Sequence, residues 1–180
     1  MKTITLLTSG TRGDVLPYIA LGEGLQDAGY QVNLAAPIGF ANLIQQHTGE
    51  MTSPLQFSPF EGNPSDLLVE QGNSTPLTLG KNFIHSIQST KNFMNKARPL
   101  YKKMLQTAFE ACKDSDIIIH GLPTLWGSHI AEGLKIPAVR ALLQPLAPTN
   151  EFASALLPFR FSIRFINWFS HVIVTQLTYL

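Results

Sequence analysis

The 180 residues contain a single cysteine, Cys112. No internal disulfide framework can staple such a chain, and a reducing compartment fits it. Charge is also scarce. Charged residues make up 14% and the net charge is +1, so the broad positive field that gathers nucleic acid is missing. From Gly13 to Gly80 there is no Lys or Arg, against seven acids; from Lys81 to Lys113 seven bases face one acid, Glu110. That second stretch reads as a solvated basic helix balancing an acidic half. The alternative is a basic face for anionic lipid or a phosphorylated ligand. The apolar tail from Arg160 to Leu180 is interrupted by Arg164, Asn167 and His171, which argues against a membrane span. Met1-Lys2-Thr3 runs directly into an apolar segment with no small-residue cleavage site before Arg12, which argues against a secretory leader. The expectation is a cytoplasmic protein, with peripheral membrane contact as the alternative.

Two nucleotide-binding signatures are missing as well. A dinucleotide turn requires G-x-G-x-x-G and an acid at the end of the second strand. This chain offers only Gly10 and Gly13, and Ala35-Ala36-Pro37 stands where the acid belongs. The P-loop pattern is absent. No His, Cys and carboxylate residues share metal-ligand spacing, so no metal is expected. Arg12-Gly13-Asp14 spells an adhesion tripeptide, which without secretion or disulfides is coincidence.

What remains is an α/β pattern. The apolar run Thr3–Leu7 reads as a first strand, followed by Thr8-Ser9-Gly10-Thr11-Arg12-Gly13-Asp14 and a helix patterned from Tyr18 to Ala28 that stops at Gly29. Further strands are expected over Gln31–Ala36, Leu55–Phe57, Asp116–His120 and Ala138–Leu142. Helices are expected over Phe40–His47, over residues 80–113 with a kink or break at Pro99, over Trp126–Leu134 and in the tail. Residues 61–78 read as a long loop. Alternating strands and helices imply a Rossmann-like, mostly parallel sheet with helices on both faces. Ligands then lie beyond the carboxyl ends of the strands. Residues 9–17, 59–78, 120–127 and 143–150 should meet there.

Asp14 is the leading candidate for chemistry. It has two readings: a helix-capping acid taking backbone N–H groups, or a proton acceptor. His120 ends a strand at the same edge, either as an acceptor contact or partner of Asp14, or as a histidine hydrogen-bonded at the strand end. His129 reads as structural. His47, His85 and His171 lack supporting neighbours.

The run Gly10-Thr11-Arg12-Gly13-Asp14-Val15-x-Pro17-Tyr18-x-Ala20-Leu21-Gly22-x-Gly24-Leu25-x-x-x-Gly29 closely resembles the opening of sterol and lipid UDP-glucosyltransferases and of bacterial glycopeptide glycosyltransferases. A second stretch agrees, Gly127-Ser128-His129-Ile130-Ala131-Glu132-Gly133-Leu134-Lys135-Ile136-Pro137 followed by Arg140-Ala141. The resemblance implies the N-terminal half of a GT-B architecture and an inverting transfer from a UDP-sugar, with no metal, to a sterol or lipid-like hydroxyl. Residues 1–180 would be the acceptor-binding domain, incomplete at its C-terminal end. The C-terminal donor-binding domain lies outside them, and the chain alone is expected to be inactive. The resemblance gives Asp14 the acceptor proton, or the orientation of a helper group; plant relatives place a His at this turn. Ser9, Gly10, Thr11, Arg12 and Gly13 would face the donor's diphosphate. His120, Pro123, Thr124, Trp126, Gln144 and Pro145 would contact the acceptor. The rival reading is a non-catalytic domain binding an apolar ligand or a protein partner.

Overall fold

The structure is a computed structural model that describes residues 2–49, 54–63, 83–154 and 163–177. The expected loop beyond Asn63, Pro158 and the outer ends of the tail lie outside the described residues, as do the side chains of residues 83–97 and 175–177. The chain divides into two compact units, Met1–Val139 and Arg140–Leu180.

The elements of the first unit follow the alternating pattern. Strands β1 (Thr3–Leu7), β2 (Gln31–Pro37), β3 (Gln56–Phe60), β4 (Ile117–His120) and β5 (Ala138–Arg140) form one sheet in the order β3-β2-β1-β4-β5. The pairings β1–β2, β1–β4 and β2–β3 are parallel, with Leu7 opposite both Ala35 and His120. Helices α1 (Arg12–Asp27), α2 (Ala41–Thr48), α3 (Phe83–Cys112) and α4 (Gly127–Leu134) connect or flank the strands. β1 and β2 are buried along nearly their whole length, as strands covered on both faces must be. Alternation sorts the helices. Leu6 faces α1, where a Cβ on Gly22 would stand 3.2 Å from Leu6 Cδ1. Leu7 faces the opposite way, into a core with Ala35, Phe60 and Ile118, Met104, Ala108 and Cys112 of α3, and Ile130 and Ala131 of α4.

Several boundaries differ from the sequence pattern, among them that of β3, which runs to Phe60 rather than Phe57. α1 begins at Arg12, six residues before Tyr18, and Pro17 lies inside it. Pro17 has no N–H to give the Gly13 carbonyl, but Gly13 is exposed, so water can serve that carbonyl. α3 is one helix through Pro99, which is also exposed. β5 stops at Arg140 rather than Leu142. α1 ends as expected before Gly29, with Gly29 N–H donating to Gln26 O at 2.8 Å and Tyr30 N–H to Leu25 O at 3.1 Å; this is a Schellman closure.

In the second unit, α5 (Arg164–Leu177) buries Asn167, Ser170, His171 and Val174, while Phe165, Trp168, Phe169 and Ile173 are exposed. Its buried face is tied to the preceding segment. Ser154 N–H donates to Ser170 Oγ at 2.9 Å, and His171 Nε2 lies 3.0 Å from Phe152 O. Among the described residues no helix is long and apolar enough to cross a membrane.

Candidate functional site

The site forms where β1 ends and α1 begins. Thr11 is the helix N-cap, and Asp14 occupies the third helical position. Asp14 Oδ2 accepts from the Thr11 N–H at 2.8 Å and from the Thr11 hydroxyl at 2.8 Å. That is the returning half of a capping box, with Asp in place of the usual Glu. The capping reading of Asp14 is therefore realised by one oxygen. Oδ1 has no hydrogen-bond partner among the described residues, and the side chain is half-buried. Thr8 Oγ1 donates to the Asp14 backbone carbonyl at 3.0 Å, tying the helix start to the strand end.

Gly10 makes this geometry possible. Its φ is +107°, and a Cβ there would stand 2.7 Å from Asp14 Oδ2 and 3.3 Å from Pro123 Cγ. The carboxylate therefore rests against bare backbone. Gly10 N–H donates to Asn63 Oδ1 at 3.2 Å, and Asn63 Nδ2 donates to Gly10 O at 2.9 Å.

These bonds sort the expected donor-binding turn. The Gly10 and Thr11 amides are spent on Asn63 and Asp14. Ser9 is buried, and its hydroxyl lies 3.4 Å from Pro123 O. The Arg12 and Gly13 amides have no partner among the described residues, and both residues are exposed. An anion at this helix start would meet those two N–H groups.

The β4 side of the site is more internal. His120 and Thr124 are fully buried. His120 Nε2 lies 2.9 Å from Ser128 Oγ. Thr124 Oγ1 donates to Leu7 O at 2.9 Å and accepts from Gly121 N–H at 3.1 Å, stitching the loop after β4 to the end of β1. Trp126 packs edge-on against Phe60, with ring centres 6.0 Å apart, and its Nε1 is buried without a partner among the described residues. Pro123 is half-buried beside Gly10. Gln144 and Pro145 lie in the second unit, half-buried and exposed respectively.

Two participants carry no flag in the sequence reading. Asn63 is one, since nothing local in Glu61-Gly62-Asn63 points to a partner 53 positions away. Tyr18 is the other; it lies one turn beyond Asp14 and is buried. A Cβ on Gly121 would stand 2.7 Å from its hydroxyl. Burial, and then the charge of Asp14, push that hydroxyl up to about 12. Among the described residues no group of His, Cys, Asp and Glu is arranged to hold a metal ion.

Comparison with known proteins places this geometry. The model of the glycosyltransferase family 28 N-terminal domain matches residues 4–153. A sterol 3-beta-glucosyltransferase of Candida albicans is 36% identical over 171 residues, 94% of this chain and 10% of the relative. One from Pichia angusta is 37% identical over 153 residues, 85% of this chain and 11% of the relative. The chain thus spans about a tenth of the length of these relatives. Among solved structures, a glycosyltransferase of Streptomyces sp. SF2575 matches with a TM-score of 0.56 at 21% identity, over 82% of this chain and 41% of that one. The same enzyme complexed with thymidine diphosphate gives 0.54 at 20%, over 82% and 40%. The calicheamicin glycosyltransferase gives 0.54 at 16%, over 80% and 33%. These structures bear out the expected fold, the N-terminal half of a GT-B architecture.

Proposed function

The chain belongs to the glycosyltransferase family 28 N-terminal domains, and from that premise we propose that it supplies the acceptor side of an inverting hexosyl transfer. The donor is a UDP-sugar, and the acceptor is a hydroxyl of a sterol or lipid-like compound. The sterol is favoured because the two relatives described above are sterol glucosyltransferases.

The observation that carries the reading is the division of labour within Asp14. Oδ2 is fixed by Thr11, while Oδ1 has no partner among the described residues. A carboxylate held by one oxygen presents the other in a defined direction, which suits proton transfer in a transition state. In the step proposed, the acceptor's O–H proton passes to Asp14 Oδ1 as its oxygen attacks the anomeric carbon. The bond to the diphosphate oxygen breaks, and UDP leaves with the electron pair from the opposite face. The Arg12 side chain and the Arg12 and Gly13 amides offset charge on the departing diphosphate; no metal is invoked. Pro123 lines the near wall beside Gly10, and His120, Thr124 and Trp126 hold the loop that carries it. A separate donor-binding domain completes the enzyme, which works in the cytoplasm with its acceptor at a membrane surface.

The test is transfer from UDP-glucose to a sterol by protein carrying this chain together with a donor-binding half. Asp14→Asn should lower kcat by about 10²-fold or more with little change in donor KM. Arg12→Ala should mainly raise donor KM. Undiminished transfer by Asp14→Asn would remove Asp14 as base.

A further inference from the structure

Asn63 lies just beyond the edge strand β3, two strands from β1 in the sheet order, yet its amide closes on Gly10. Gly10 belongs neither to β1 nor to α1, so its N–H and C=O have no place in strand or helix. One side-chain amide takes both, at 3.2 Å and 2.9 Å. A side-chain amide offers a donor and an acceptor side by side in this way. Asn63 is itself held from behind. Glu61 N–H donates to Thr107 Oγ1 at 3.0 Å, and Lys103 pairs with the Glu61 carboxylate. Gly62 turns the chain at φ +85°, where a Cβ would strike Leu100 Cδ1 at 2.9 Å. α3 therefore fixes Glu61 and Gly62, these aim Asn63, and Asn63 fixes the backbone of Gly10. Gly10 in turn is the surface against which Asp14 Oδ2 rests, 2.7 Å from where a Cβ would be.

We propose that Asn63 is a positioning residue for Asp14: its two-point hold on Gly10 sets the floor on which the carboxylate sits. The inference rests on the reading of Asp14 as the acceptor base, but its effect is local geometry and can be measured without any transfer reaction.

The experiment compares the 180-residue chain with Asn63→Ala and with Asn63→Leu, which keeps the volume but removes both hydrogen-bonding groups. Amide hydrogen exchange is followed by NMR at Gly10, at Thr11, whose N–H is bonded to Asp14, and at Thr5, Leu6 and Leu7 in β1 as internal controls. The Asp14 side-chain ¹³Cγ resonance is recorded in the same samples. The expected result in both variants is exchange at least about tenfold faster at Gly10 and Thr11, from loss of local hydrogen bonds. The Asp14 ¹³Cγ signal should move, and the β1 amides should exchange as before. Unchanged exchange at Thr11, or an unmoved Asp14 signal, would overturn the proposal. So would an equal acceleration in β1 or loss of the folded spectrum, since Asn63 would then hold the whole fold rather than one carboxylate. None of these outcomes depends on whether Asp14→Asn abolishes transfer, so the two readings fail separately.

Discussion

Gly10 and Gly13 stand three residues apart in one turn, and the structure gives them opposite responses to the same methyl group. At Gly10 the backbone has φ +107° and the incoming Cβ would lie 2.7 Å from Asp14 Oδ2. Two costs follow. Holding an L-residue at such a φ costs roughly 1–3 kcal/mol. Expelling Asp14 from its seat forfeits the bonds to Thr11, a cap worth about 1 kcal/mol. Gly10→Ala should therefore destabilise by about 2–4 kcal/mol. At Gly13 the nearest atom to a new Cβ is Thr11 Oγ1 at 3.6 Å, an ordinary contact. Gly13 lies in the first turn of α1, so Gly13→Ala should stabilise by up to about 1 kcal/mol. Urea denaturation read by Trp126 fluorescence, with Trp168→Phe in every protein, checks both. With a slope of about 2 kcal/mol/M, the midpoint falls by about 1–2 M for Gly10→Ala and rises by up to about 0.5 M for Gly13→Ala. A double-mutant cycle isolates the carboxylate. In an Asp14→Ala background the strain remains and the collision is gone, so the Gly10→Ala penalty should shrink by about 1 kcal/mol or more. Equal midpoint shifts for the two glycines, or a strictly additive cycle, would refute the argument that Gly10 is bare in order to seat Asp14.

The remaining expectations concern packing and protons. Gly22→Ala, whose Cβ would lie 2.9 Å from Leu55 Cδ1 and 3.2 Å from Leu6 Cδ1, should cost about 1–3 kcal/mol by overpacking. Gly24→Ala in the same helix has nothing within 4 Å and should gain up to about 1 kcal/mol; matched urea curves distinguish them. Burial raises the Cys112 thiol from 9.0 to about 12, so the folded state keeps a proton that the unfolded chain releases. Stability should be level below pH 9 and fall between pH 9 and 12, by at most about 1.4 kcal/mol per pH unit from this thiol. Cys112→Ala should lessen that slope in urea curves taken at pH 8 to 11, and an identical slope would remove Cys112 as its source. Tyr18, raised from 10.0 to about 12, adds a loss of the same sign over the upper part of that range.

The sequence made the sheet legible because the strands it needs are apolar on both faces. Thr3–Leu7 is buried along nearly its whole length, and Ile117–His120 buries Ile118 and His120 on one face. Helix starts were less legible. The apolar pattern of α1 becomes regular only at Tyr18, although Asp14 reads as a helix-capping acid. The helix nevertheless reaches back to Arg12 because the cap is built from Thr11 and Asp14 rather than from apolar spacing. The edge of the site was legible as a place, since every residue at a strand's carboxyl end is a candidate. Side-chain direction was not. β4 is in register so that His120 lies opposite Leu7, on the face covered by α3 and α4, and its ring is spent on Ser128. Thr124 is likewise spent on Leu7 and Gly121. The Asn63 contact was invisible because it depends on the order β3-β2-β1 and on how α3 pins Glu61, and neither is written near residue 63.

The capping role and the proposed catalytic role of Asp14 look like rivals when a carboxylate is treated as one group. Its two oxygens remove the conflict. A helix N-terminus favours an anion whatever that anion does next, and Thr11 supplies two donors to a single oxygen. The other oxygen is thereby fixed in direction without a partner among the described residues. A longer Glu at this position would make the same cap through a more flexible side chain, giving up that fixed direction. Asp14→Glu is therefore the substitution that separates the two roles. Stability should stay within about 0.5 kcal/mol, because a capping box accepts Glu readily. Transfer by the two-domain protein should fall by about tenfold or more, because the free oxygen is displaced by a methylene's length. If transfer and stability both survive, direction is not what this turn supplies. If both are lost together, the cap is the whole of what Asp14 does.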